Sequence, residues 1–263
     1  MSEVSVTNYP DIHGSHVKLF QPAHESDSRP LALFNGIGAG NEQWGKFPEE
    51  LDRPIVAIDV SKSVTKLLPT MENYKDAAID VLDELEIDKF DAMGLSWGAL
   101  LTEELALDNR ARIGRIVLAA GASYIPIMPP TLMSSIILSS PNHSTAYLEK
   151  HSKAVFGGDT ANNLDLIYKL DVSRSLNDIH YRGQVIAALG SMRNIFRLAF
   201  SDIPVLLMAS DDDPIVRYEN IALKNMITAN STLHKVRKGG HLFPLTCPVE
   251  TAKTVNNFLN KPL

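Results

Sequence analysis

Residues 90–105 read FDAMGLSWGALLTEEL. The first six are apolar but for one aspartate, a short run of the kind a buried strand carries. Trp97, Ala99, Leu101 and Leu105 then open a helix-like pattern with no linker between. Ser96 stands at the junction, with Gly94 and Gly98 two residues away on either side. A serine raised on a sharp strand-to-helix turn is the setting of a nucleophile elbow, in which flanking glycines allow close packing and the next N–H faces a developing oxyanion. The plainer alternative is a turn serine with glycines supplying the bend. The five-residue pattern alone does not decide between them; its context favours the elbow.

Outward from this stretch, the chain alternates between two kinds of segment. Short apolar runs occur at 31–35 (LALFN), 54–59 (PIVAID), 90–95, 115–120 (RIVLAA) and 204–210 (PVLLMAS). Runs apolar on both faces suit a parallel sheet covered by helices. The 74–86 segment places Ala78, Val81, Leu82 and Leu85 on one helical face, and 248–259 repeats the spacing with Ala252, Val255 and Leu259 behind Pro248. EVSVTNY and SHVKLF alternate with period two and predict an N-terminal hairpin turning near Gly14. The whole predicts an α/β fold with a mainly parallel sheet flanked by helices.

The alternation breaks between Ser123 and Ile203. Four prolines (Pro126, Pro129, Pro130 and Pro141) and helix-like pieces near 145–155, 161–170 and 183–200 predict a mostly helical lid inserted between two sheet strands. The expected division is a core of residues 1–122 and 203–263 with a lid of 123–202.

Composition bounds the function. The 263 residues, 44% hydrophobic and 21% charged, are ordinary for a folded domain with a sizeable core. A net charge of −6 without any Lys/Arg run speaks against a nucleic-acid surface. A single cysteine, Cys247, rules out an intramolecular disulfide and a cysteine-rich metal site. No apolar run approaches the ~20 residues of a membrane helix, and MSEVSVTNYPDIHG lacks the pattern of a signal peptide. The expectation is a cytoplasmic protein without integral membrane association.

A serine nucleophile needs companions. LALFNGIGAGNEQW places Asn35-Gly36-Ile37-Gly38 after a strand, where the Ile37 N–H can join that of Trp97 as an oxyanion donor. A phosphate loop is the weaker reading, because neither a Gly-Lys-Ser/Thr nor a Gly-x-Gly-x-x-Gly pattern fits. His241, in RKGGHLF, lies on a loop between the strand-like STLHKV and the last helix, where a base would sit. MASDDDPIV puts Asp211, Asp212 and Asp213 in the turn after a strand, and the residues alone leave open which is the acid. The order of serine, acid and histidine is that of α/β-hydrolases.

The chain as a whole resembles an α/β-hydrolase. LFNGIGAGNEQW, GLSWGALLTEELA, ASDDDPIV and GGHLFPLT are similar to stretches of intracellular medium-chain poly(3-hydroxyalkanoate) depolymerases, with weaker similarity at VFGGD and AALGSMRNIF. The resemblance implies Ser96 as nucleophile, Asp213 as acid, His241 as base, and oxyanion N–H groups on Ile37 and Trp97. Where that family has a glycine-rich turn after its fourth strand, AIDVSKSVTKLLP has no glycine.

The expected reaction is hydrolysis of a small-molecule or oligomeric ester through an acyl-enzyme, with no metal or organic cofactor. Residues of SYIPIMPPTLMSSIIL, among them Met128 and Met133, are expected to give the lid an apolar wall and a preference for medium-length acyl groups. A small-molecule esterase, lactonase, thioesterase or C–C hydrolase would use the same triad. A ligand-binding sensor on a hydrolase scaffold is the alternative of another class.

Overall fold

Two strands open the chain, β1 (Ser5–Ile12) and β2 (Ser15–Gln21), joined at a two-residue turn in which His13 and Gly14 both have positive φ (51° and 78°). That is the turn whose twist suits a hairpin. The Asp11 carboxylate accepts the Gly14 N–H at 2.7 Å, and the β1–β2 register slips between Tyr9 and Ile12, around Pro10. The computed structural model describes residues 4–22, 26–121, 157–158, 179–191, 196 and 198–262.

The apolar runs form β3 (Leu31–Phe34), β4 (Ile55–Asp59), β5 (Phe90–Leu95), β6 (Ile113–Ala119) and β7 (Val205–Ser210), followed by β8 (Ser231–Val236). The eight strands make one sheet in the order β1-β2-β4-β3-β5-β6-β7-β8. β2 pairs antiparallel with β1 and β4, and every pairing from β4 to β8 is parallel. Every residue of β3, β5, β6 and β7 is buried, as strands covered on both faces require. Because β3 and β5 to β8 run the same way, the segments that follow them emerge on one edge of the sheet.

Helix α1 (Met71–Glu84) packs against α2 (Trp97–Asp108), which packs on the central strands. The first differs from the expected 74–86 at both ends. Thr70 and Asn73 form a capping box that starts the helix three residues earlier. At the other end Glu86 takes φ 56°, the Ile87 N–H reaches the Leu82 carbonyl at 2.9 Å and the Glu86 N–H reaches Asp83 at 3.0 Å. This left-handed ending stops the helix at Glu84.

α3 (Ile179–Ser191) starts four residues before the helix-like piece expected at 183–200, and α4 (Tyr218–Ile227) was not marked by the apolar spacing. The one-turn α5 (Phe243–Thr246) leads into α6 (Pro248–Leu259), which has the expected bounds. The pieces expected at 145–155 and 161–170, and most of the 123–202 lid, lie outside the described residues. A buried pair, Lys224 Nζ to Glu103 Oε1 at 2.8 Å, ties α4 to α2. Among the described residues no helix is long and apolar enough to cross a membrane.

Two glycines set how closely α2 approaches the sheet. A Cβ on Gly94 would lie 2.0 Å from the Gly98 carbonyl oxygen, and one on Gly98 would lie 2.1 Å from that of Phe34. Neither neighbour is a flexible side chain, so strand and helix would have to part. Gly98→Ala is therefore expected to destabilise the fold by on the order of 3 kcal/mol, the upper range for overpacking. For a chain of this size that lowers Tm by about 6–12 °C, measured by thermal denaturation. A melting point equal to wild type would mean that the contact relaxes freely.

Candidate active site

Ser96 links β5 to α2 and has φ 57° and ψ −113°. A positive φ is costly for a residue with a side chain and persists only where the surroundings hold it. Here the Ser96 N–H donates to the Ala119 carbonyl at 2.8 Å, and its own carbonyl accepts the Ala99 N–H at 3.0 Å. Gly121 also crowds the turn, since a Cβ there would fall 2.6 Å from the Ser96 carbonyl oxygen. The next residue, Trp97, is the first of α2, so its N–H is one of those a helix leaves without an intrahelical acceptor.

The loop after β3 lies against this turn: a Cβ on Gly36 would sit 3.7 Å from Ser96 Cβ. Around Ile37 the neighbouring N–H groups are engaged. Gly36 donates to Gln43 Oε1 (3.0 Å), Gly38 to Gln184 Oε1 (2.8 Å) and Ala39 to the Gly36 carbonyl (3.1 Å).

Buried amides hold the loop from beneath. Asn35 Oδ1 accepts from Trp44 Nε1 (2.7 Å) and Gln43 Nε2 (3.2 Å), while Asn35 Nδ2 donates to Asn41 Oδ1 (2.9 Å). Asn41 Nδ2 in turn donates to the carbonyls of His16 and Ala57, fastening the loop to β2 and β4. Each amide is costly to bury unless paired, so the network admits few arrangements.

On the same edge, Asp213 and His241 meet directly. His241 Nδ1 lies 2.8 Å from Asp213 Oδ2, and both residues are buried. Asp213 Oδ1 accepts the N–H groups of Ile215 (2.8 Å) and Val216 (2.9 Å), which sets the orientation of the carboxyl group. The other two acids of the turn point elsewhere. Asp211 Oδ1 takes the Lys238 N–H at 2.9 Å on the surface. Asp212 Oδ1 accepts from the Ser210 hydroxyl (2.7 Å) and the Gly240 N–H (2.8 Å), and its Oδ2 accepts the Gly158 N–H (3.0 Å). Burial alone would raise the Asp212 carboxyl, but these hydrogen bonds outweigh it and hold the group below the ordinary carboxylate range.

All five residues singled out in the sequence thus lie on the carboxyl edge of the sheet: Ser96, Ile37 and Trp97 around the β5 turn, Asp213 and His241 after β7 and β8. The Asp211 N–H, donating to the Val236 carbonyl at 3.1 Å, joins the ends of those last two strands. Sequence reasoning missed Asn41, Gln43 and Gln184, and it named Asp212 only as a candidate acid, not as the group that ties Gly240 and Gly158 to the turn. The first two had a signal, amides crowded beside a glycine loop. Gln184 had none, being 146 residues from its partner Gly38. A groove of about 690 Å3 runs between α1, α2 and α3, lined by Leu68, Met71, Glu104 and Ile186 among others; Ser96, Asp213 and His241 are not in its wall. Among the described residues no cluster of His, Cys, Asp or Glu is placed to hold a metal.

The alpha/beta hydrolase family matches residues 31–254 of this chain. A poly(3-hydroxyalkanoate) depolymerase of Ectopseudomonas oleovorans is 29% identical over 244 residues, covering 88% of this chain and 84% of that protein. Among solved structures, a hydrolase from Pseudomonas aeruginosa PA01 superposes with a TM-score of 0.74 at 19% identity, over 97% of this chain and 98% of the other. Carboxylesterase CesB from Bacillus subtilis gives 0.74 at 17% identity, over 99% and 93%. With the family match spanning most of its length, the chain belongs to the alpha/beta hydrolase family.

Proposed function

We propose that this protein is a serine hydrolase that cleaves carboxylic esters of hydrophobic acyl groups, with 3-hydroxyalkanoate esters as the favoured class. The observation that carries the reading is the buried Asp213–His241 pair on the same sheet edge as a serine held at positive φ. A buried acid on Nδ1 directs the other imidazole nitrogen outward as a base, and the elbow presents Ser96 for attack. The depolymerase similarity supports the choice of substrate class.

In this mechanism Ser96 Oγ attacks the acyl carbonyl while His241 Nε2 takes its proton. Asp213 keeps the imidazole in the required tautomer and stabilises the imidazolium. The tetrahedral oxyanion accepts the N–H groups of Ile37 and Trp97, each worth about 3 kcal/mol in the transition state. Collapse expels the alcohol, which takes its proton from His241. Water then attacks the acyl carbon with His241 as base, and collapse breaks the bond to Ser96 Oγ, which recovers its proton from His241 as the acid product leaves.

Substrate preference is tested with acyl esters from two to twelve carbons and with 3-hydroxyalkanoate oligomers. Each methylene buried contributes at most about 0.8 kcal/mol, so four added carbons raise kcat/KM by up to two orders of magnitude. The segment expected to supply the apolar wall, around Met128 and Met133, lies outside the described residues. A maximum at acetyl esters with no cleavage of oligomers would discard the depolymerase-like substrate and leave a generic esterase.

A further inference from the structure

We propose that Gln184, on α3, is the positioning residue that sets the spacing of the two oxyanion donors. The inference rests on the assignment of Ile37 and Trp97 as those donors. Gln184 is only 2% exposed, and a buried amide is costly unless paired. It is paired twice, once with each wall of the site. Its side-chain Oε1 accepts the Gly38 N–H at 2.8 Å, and its main-chain oxygen accepts the Trp97 indole N–H at 2.9 Å.

The geometry gives both bonds a consequence for the reacting centre. The Gly38 N–H belongs to the peptide group formed with the Ile37 carbonyl, so fixing it fixes the plane on one side of Ile37. The other side, the peptide that carries the Ile37 N–H itself, is held through its Gly36 carbonyl, which accepts the Ala39 N–H at 3.1 Å. The buried Gln43 and Gln184 hold the N–H groups immediately before and after that of Ile37. Trp97 is held by its indole bond and by an edge-on contact with Tyr74, whose ring centroid is 5.0 Å away at 86°. One residue from a distant segment therefore bonds next to both donors, to the peptide that follows Ile37 and to the side chain of Trp97.

Gly183 explains how α3 comes close enough. A Cβ there would lie 2.8 Å from Tyr74 Oη and 3.0 Å from Pro69 Cγ. With only hydrogen at that position, the helix settles against α1 and carries the next residue into the site. Docking of α3 and assembly of the oxyanion hole are then one event. Such a residue acts on the transition state more than on substrate binding, because donor spacing matters most when charge develops on the oxygen.

The test is Gln184→Met, which keeps the volume and removes the side-chain acceptor. The expected result is a fall in kcat of about 10- to 100-fold with KM within about twofold, since misplacing a donor costs less than the 10²–10³ of deleting one. The inhibition constant of a trifluoromethyl ketone with the substrate's acyl chain should rise by the same factor, because its adduct with Ser96 places an oxyanion between the donors. Leu189→Ala, an exposed position on the same helix, should change neither. Trp97→Phe removes the indole N–H together with the part of the ring that carries it, and should weaken the ketone in the same direction; it decides the matter if Gln184→Met does not fold.

A folded Gln184→Met enzyme with wild-type kcat and ketone affinity would overturn the inference. So would a loss confined to KM, or wild-type ketone affinity in Trp97→Phe. Failure of the underlying assignment looks different: the wild-type enzyme would form no ketone adduct, or Ser96→Ala would remain active.

Discussion

Replacing Ser96 by alanine is expected to lower kcat by roughly four to six orders of magnitude while leaving the fold intact, the scale on which a triad serine acts. The reason is local. Ser96 is the residue that the β5–α2 turn forces to φ 57°, with Gly36 and Gly121 packed close against it. Alanine keeps the Cβ and the backbone bonds to Ala119 and Ala99. Only the hydroxyl is lost. The check is steady-state hydrolysis of the best ester in the acyl series, beside a melting curve. Retention of even a tenth of wild-type activity would mean that the elbow presents no nucleophile.

The second large effect is expected at Asp213. Asp213→Asn should cost about 10⁴ in kcat, because an amide facing Nδ1 favours the wrong tautomer of His241. Asp211→Asn, at a surface position bonded to a loop N–H, should cost little. Asp212→Asn should separate activity from stability, leaving kcat within about tenfold because Asp212 does not touch the imidazole ring.

Its stability effect has a defined sign. The Asp212 carboxyl is held below its ordinary range in the fold, so its contribution is present above the unfolded pKa of about 3.9 and disappears as pH falls through the folded value. The gap between wild type and Asp212→Asn should be widest near neutral pH and close in acid. If Asp211→Asn or Asp212→Asn instead proves as damaging to kcat as Asp213→Asn, the acid has been misassigned.

The residues themselves determined the strands, the elbow and the chain order of the site. A strand buried on both faces must be apolar along most of its length, so LALF, IVAID, FDAMGL and VLLMAS announce themselves without any knowledge of their neighbours. Glycines flanking a serine are legible for the same reason, since backbone atoms that approach within a Cβ's radius leave only one residue type. Element ends were less legible. The start of α1 depends on a cap outside its apolar stripe, and its end on a left-handed glutamate where a glycine would have been the signal.

Which of three adjacent aspartates meets His241 was a matter for the tertiary structure. All three share a turn, and they differ only in where the turn aims each side chain. Gln184 is the extreme case. It sits on a helix of weak apolar patterning, and its importance comes wholly from partners brought to it by the closing of the fold. Burial in a continuous strand is a property of the strand's own residues, whereas a hydrogen bond between segments 146 residues apart exists only once α3 has packed on α1 and α2 and brought Gln184 to the loop after β3.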